Sequence, residues 1–228
     1  MLAAGGSFAF YAEGYAALDE TEQGGEDCPN APPADCPLGL PVSPCLYSPG
    51  DDPFLFFPQF SVPTDHAANV KDYAQLASDV AAGHLPSLSF VKAVGYHTEH
   101  PGYGTTISAG VAFAKGLVDT IEASPYAKNT LILITWDEGG GFYDHVAPPP
   151  TSAVDNEPYG TRVPLIAIGP YAKKGFISHV PLEHSSIVKF LEWDFTGKTG
   201  QLHARDKPVN NLGSLLDSAA VGESVPQN

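Results

Sequence analysis

The chain has 228 residues, 43% of them hydrophobic, enough for a substantial core, yet no apolar run approaches the ~20 residues of a membrane span. Its formal charge of −15 at pH 7, from 11 Lys and Arg against 26 Asp and Glu, excludes nucleic acid and anionic membrane as partners held by overall charge. An acidic protein that handles an anionic substrate needs local positive charge, and a bound metal is the economical source.

The first residues, MLAAGG, contain neither a basic n-region nor a long apolar h-region, so no signal peptide is legible. Residues 7–15 (SFAFYAEGY) are predicted to supply a short strand. Residues 1–70 hold ten acids and no Lys or Arg, and all three cysteines, Cys28, Cys36 and Cys45, fall among them. Their Pro-rich flanks suit one disulfide in an exported protein, with the third cysteine free or paired elsewhere; a zinc site needs more Cys or His than the segment offers. Residues 19–63 read as a long excursion of Pro, Gly and acidic residues, with Phe54, Leu55, Phe56, Phe57 and Phe60 pinning its far end to the core.

Regular patterning begins at Ala67. Val70, Tyr73, Leu76, Ala77 and Val80 recur at helical spacing, and Gly83 stands where a C-cap belongs. Residues 85–94 (LPSLSFVKAV) alternate like a strand. Residues 105–123 form the clearest helix, with Ile107, Val111, Ala114, Val118 and Ile121 on one face and Ser124-Pro125 as the stop. The aliphatic run Leu131, Ile132, Leu133, Ile134 predicts a strand buried on both faces, closing a right-handed βαβ unit with parallel strands. Residues 162–168 (RVPLIAI) predict a further strand, and residues 185–193 (SSIVKFLEW) a helix with Ser as N-cap. Residues 200–228 read as a polar tail anchored by Leu212, Leu215 and Leu216. The organisation expected is a single α/β domain over 1–228.

The chemistry concentrates where the aliphatic run ends, in TWDEGGGFYDH. Asp137 and Glu138 are adjacent carboxylates, which raise each other's pKa unless a cation lies between them. Open α/β sheets place ligands beyond the carboxyl ends of their strands, and Gly139, Gly140 and Gly141 permit close backbone approach there. Oxygen ligands suit Ca²⁺, Mg²⁺ or Mn²⁺, and a nearby imidazole extends the choice to Zn²⁺ or Fe. His145 is a candidate ligand, general acid or donor to phosphate, with Asp144 either orienting it or serving the loop. Residues 95–104 (GYHTEHPGYG) end another strand and offer His100 ahead of His97. His179, Glu183 and His184 flank the last helix, where capping explains the latter two. Arg162 suits bidentate phosphate binding, against which stands pairing with a local acid such as Asp155 or Glu157.

Read together, TEHPG, TWDEGGGFYDHVAPP, YGTRVPLIAIGP, EHSSIVKFLEW and RDKPVNNLGSLLD resemble the phosphoesterase family that unites bacterial and plant phospholipases C with an acid phosphatase. The resemblance implies a three-layer αβα sandwich like that of alkaline phosphatase, with a largely parallel sheet. It implies hydrolysis of phosphate esters or phospholipids assisted by one divalent metal ion, in a protein that is secreted or periplasmic at full length. The family's metal-ligand pair falls on Asp137 and Glu138 and its active-site histidines on His100 and His145; His184 matches a motif position to which no role is carried over. Family members also present a Glu-Asn pair and a Thr or Ser nucleophile in segments that these 228 residues do not match, so the chain resembles the C-terminal half to two-thirds of a member, inactive or nearly so alone. The alternatives are a non-catalytic remnant that binds metal or a partner, and a sulfatase-like hydrolase of another ester.

Overall fold

Phe8–Ala12 (β1) lies between Val70–Asp72 (β2) and Leu88–Lys92 (β3), all three parallel, with Phe10 opposite Val70 and Phe8 opposite Leu88. A central parallel strand has no solvent face, and Ala9, Phe10, Tyr11 and Ala12 are each at most 2% exposed. These assignments come from a computed structural model, which describes residues 2–15, 34–38, 43–60 and 67–226. Contacts divide the chain into two units, Ser7–Ser124 and Met1–Gly6 with Pro125–Asn228.

In the first unit the expected helix from Ala67 is shorter than its spacing implies. Val70 belongs to β2, where its β-branched side chain packs with Phe10, and the helix Ala74–Ala82 (α1) starts only after it. Gly83 closes α1 in the left-handed region at φ 77°. Tyr11 Oη and Lys71 Nζ both reach the Asp79 carboxylate, at 2.7 and 2.6 Å, and fasten α1 to the sheet. Phe54, Leu55 and Phe60 pack against the cluster of Phe10, Ala12, Tyr15, Tyr47 and Val70, whereas Phe56 and Phe57 are exposed. Cys36 and Cys45 form a disulfide; Cys28 and about half of the 19–63 excursion lie outside the described residues.

The clearest helix runs Ile107–Glu122 (α2), with Thr106 Oγ1 accepting from Ala109 N. The predicted stripe packs in its C-terminal half, where Ile121 is buried, and not at its start. Ile107 and Val111 are more than half exposed, while Gly110 is buried and Phe113 stacks on Tyr73 and His97. A Cβ on Gly110 would stand 2.3 Å from the Glu99 side chain, so this glycine lets Glu99 lie across the helix. Glu99 itself adopts φ 66°, a strained position for a residue with a side chain.

The second unit pairs Ile132–Thr135 (β4) with Leu165–Ile168 (β5), antiparallel, Ile132 opposite Ile168. The expectation of a largely parallel sheet therefore holds for the first unit and fails here. The predicted pairing of the strand before α2 with the strand after it is also corrected: β3 bonds to β1, and β4 to β5. Nor is β4 buried on both faces. Its four residues are all half-buried; Leu133, with Leu131 just before the strand, packs against the cluster of Phe190, Leu212, Leu216 and Val225.

The last helix runs His184–Thr196 (α3). Its N-cap is Glu183 and not the predicted Ser: Ser186 Oγ accepts from Glu183 N at 3.1 Å, and the Glu183 side chain answers to the Ser186 amide. Lys189 is 1% exposed and donates to the carbonyls of Lys207 and Val209, so α3 is bolted to the segment after residue 200. That segment contains a turn at Leu212–Leu215 and a short helix Ser218–Val221 (α4), and Leu212 is fully buried. The architecture is mixed α/β.

Candidate active site

The loop after β4 is positioned from two sides. Thr135 Oγ1 donates to Pro164 O at 2.8 Å, and His184 Nε2 bonds to Trp136 O at 2.8 Å. The chain then turns outward with Asp137 and Glu138, both exposed, the Glu138 amide donating to Asp137 Oδ1 at 3.1 Å. Phe142 N closes a turn on Gly139 O, with Gly140 and Gly141 at φ 59° and 85°. Gly139 is required by proximity: a Cβ there would stand 1.9 Å from Thr161 Oγ1. The glycine loop is thereby seated on the segment that leads into β5.

Within this unit an open groove of about 1760 Å³ is lined by Asp137, Glu138, the three glycines, Tyr159, Arg162, His179, Glu183, His184 and Arg205, among others. Drug-sized pockets run to roughly 1,000 Å³, so the groove has room for an extended substrate. It gathers three of the predicted residues, Asp137, Glu138 and His184. His145 is exposed on the loop below and is not among the lining residues. His100 belongs to the other unit, where Gly102 N donates to its Nδ1 at 3.1 Å and its ring stacks on Tyr103 at 4.4 Å. An imidazole nitrogen that accepts from a backbone amide carries no proton, so neutral His100 is protonated at Nε2.

Asp144 resolves as a loop carboxylate. It takes both Nε and Nη2 of Arg162 at 2.8 Å and accepts from the amides of Val146 and Arg162. The Arg162 guanidinium holds it far below the usual carboxylate range. Arg162 thus pairs with a local acid as expected, though with Asp144 and not with Asp155 or Glu157; Asp155 takes Arg205 through two bonds of 2.6 and 2.9 Å. Arg205 also stacks on Tyr159 at 5.0 Å and approaches Glu183 at 4.0 Å, and the hydrogen bond to Glu183 pushes the Tyr159 phenol up. Tyr159 and Arg205 are groove residues that sequence reasoning missed. Nothing in their spacing marks them, because each reaches the groove from a loop.

His97 is explained structurally. Its Nδ1 meets Glu13 and its Nε2 meets Asp35, both at 3.0 Å, and the carboxylate bonds push it up to about 9.

A model of the phosphoesterase family matches residues 2–196. The chain belongs to the phosphoesterase family. Among its relatives, the non-specific phospholipase C1 of Arabidopsis thaliana is 32% identical over 170 residues, 62% of this chain and 32% of its own. The non-hemolytic phospholipase C of Pseudomonas aeruginosa is 31% identical over 149 residues, 53% of this chain and 21% of its own. Phospholipase C B of Mycobacterium tuberculosis is 28% identical over 166 residues, 63% and 32% respectively. The phosphoesterase chain described here thus spans a fifth to a third of the length of these relatives.

Asp137 and Glu138 present hard oxygen donors at the groove, the chemistry a divalent cation of the Ca²⁺, Mg²⁺ or Mn²⁺ kind selects. Among the described residues no group of three or more His, Cys, Asp or Glu stands together as a ligand set. The two carboxylates are of the donor type that such a cation takes.

Proposed function

We propose that the groove is the phosphate-ester site of a metal-assisted hydrolase of the phospholipase C kind, with Asp137 and Glu138 as cation ligands on an alkaline-phosphatase-like scaffold. The observation that carries this reading is the gathering of Asp137, Glu138 and His184 on one groove in a member of the phosphoesterase family. A bound cation would neutralise phosphoryl oxygens and lower the pKa of an attacking hydroxyl. The chain's own residues orient the ester and handle its protons. His184, whose Nε2–H is committed to the Trp136 carbonyl, keeps Nδ1 for accepting a proton or a hydrogen bond. His145, carried on the loop that follows the three glycines, is the proposed donor to phosphoryl oxygens or to the departing alkoxide. Asp144 acts through Arg162, holding the loop on which His145 is carried.

Phospholipid is the proposed substrate class, since relatives at about 30% identity carry the name phospholipase C. The Cys36–Cys45 disulfide supports a secreted or periplasmic location. The reading is tested by comparing a full-length version of the protein with its Asp137→Asn variant. The readouts are Mn²⁺ binding and hydrolysis of phosphatidylcholine, phosphatidylinositol and p-nitrophenyl phosphate, with and without chelator. Loss of one charged ligand is expected to abolish both cation binding and chelator-sensitive hydrolysis. A variant that keeps its metal and its turnover removes Asp137 from the site.

A further inference from the structure

Residues 173–178 (KKGFIS) form part of the groove wall, and their construction differs from that of an ordinary connecting loop. Both ends are tied to one residue: Lys173 Nζ donates to Ser214 O at 3.0 Å, and Ser178 Oγ bonds to Ser214 Oγ at 2.8 Å. Beneath them Lys173 N donates to Leu215 O, and Ala172 bridges to Leu216, which is 3% exposed. Gly175 makes the turn at φ 61°. On this fixed base stand Phe176, 50% exposed, and Ile177, at 77% the most exposed aliphatic side chain among the described residues. A loose loop would fold such side chains back onto the protein. Here the turn holds them out.

Charge accompanies the apolar tip. Lys173 Nζ lies 4.8 Å over the Phe176 ring, and Lys174 beside it is exposed. In a chain of net charge −15 with only 11 Lys and Arg, two adjacent cations at an apolar tip are a local reversal of sign. Phe142 and Val180, also exposed, line the same groove, so the apolar character continues along its mouth.

We propose that residues 173–178 are a lipid-docking loop: Phe176 and Ile177 enter the acyl boundary of a phospholipid bilayer while Lys173 and Lys174 lie at its phosphates. Apolar side chains ahead of snorkelling ammonium groups match hydrocarbon beneath a phosphate layer. A second copy of the chain fits less well, because two bodies of charge −15 repel. The proposal deepens the reading of the groove as a phosphate-ester site and rests on it for purpose, since docking would set the groove mouth against the lipid headgroups.

The test is co-sedimentation of the protein with phosphatidylcholine vesicles. The wild type binds. The double variant F176S/I177S loses affinity by at least about tenfold, as expected when two large apolar side chains no longer leave water, and K174E loses less. Should the double variant fail to fold, as read by circular dichroism, I177W replaces it: it keeps vesicle binding, and its added emission is quenched by brominated acyl chains. The proposal is overturned if wild type does not bind, if F176S/I177S binds equally, or if I177W is not quenched. A wild-type oligomer that dissociates in F176S/I177S without vesicle binding also overturns it, assigning the tip to contact between copies. Vesicle binding by a protein that takes up neither Mn²⁺ nor phosphate leaves docking standing and removes the phosphate-ester reading of the groove; uptake of both without vesicle binding does the reverse.

Discussion

His97→Gln isolates the one imidazole among the described residues that two carboxylates enclose. Glu13 follows β1, Asp35 precedes the disulfide cysteine Cys36, and His97 follows β3, so one ring joins three segments distant in sequence. The His97 side chain is 9% exposed, Glu13 17% and Asp35 61%. His97 is held at about 9 against an ordinary 6.5, first by the hydrogen bond to Glu13 and then by that to Asp35. That displacement corresponds to roughly 3 kcal/mol of preference for the folded imidazolium. Screening at the exposed Asp35 reduces the net contribution to about 2 kcal/mol. Because the folded value is raised, the stabilisation is complete below 6.5 and is lost as pH rises through 9. Asp35 is displaced downward by His97, so its share is present above the unfolded carboxylate value and disappears only as pH falls through the folded one. Urea unfolding of wild type and H97Q, compared at intervals from pH 6 to pH 10, should show a gap of about 2 kcal/mol at the lower end that closes at the upper. Taking the difference cancels the titration of tyrosines common to both proteins. A gap independent of pH, or an NMR titration of His97 near its ordinary value, refutes the reasoning.

Two further substitutions probe the second unit. Arg162→Lys removes a planar fork that Asp144 receives through two parallel bonds, and an ammonium cannot replace both; amide exchange at Val146 should accelerate severalfold, and unchanged exchange would mean that the clamp does not order the loop. Since Asp144 is held far below the usual carboxylate range, this clamp should persist in wild type into acid, well below the pH at which free carboxylates protonate. Lys189→Met keeps the apolar stem but leaves the carbonyls of Lys207 and Val209 without their donor, and thermal unfolding should report a loss of about 1–3 kcal/mol; an unaltered melting temperature would show that these carbonyls find other partners.

The parts of this protein that were legible in its sequence are those written locally. Gly83 ends α1, α2 stops just before Ser124-Pro125, and the aliphatic run stops where Asp137 and Glu138 emerge, because caps, periodicity and strand ends act over a few residues. Partners chosen across long separations were not legible. β4 takes β5 as an antiparallel neighbour, and a run of four aliphatic residues reads the same with either direction of pairing. Asp144, Asp155, Asp35 and Glu13 are alike as letters, and only the folded chain assigns Arg162 to the first, Arg205 to the second and His97 to the others. The stripe on α2 was legible at Ile121, which is buried, but not in its first turns, where the absence of a side chain at Gly110 admits Glu99 and leaves Ile107 and Val111 exposed.

The same assignments bear on what the groove needs in order to receive a phosphate ester. Of the cations lining it, Arg162 is engaged by Asp144, Arg205 by Asp155 with Glu183 nearby, and Lys173 by the Ser214 carbonyl. The charges of Arg162 and Arg205 are each offset by a bidentate carboxylate, and Lys173 already gives an N–H to a carbonyl, so little uncompensated positive charge faces an incoming phosphate. Asp137 and Glu138, meanwhile, add negative charge at the same wall. A phosphate arriving there meets an anionic surface unless a divalent cation accompanies it, and then the two carboxylates turn from an obstacle into the means of attachment. Phosphate and Mn²⁺ should therefore bind this groove cooperatively, each raising the other's affinity by the same factor, as linkage requires. Phosphate bound equally well with Mn²⁺ present or chelated would break that argument at its root.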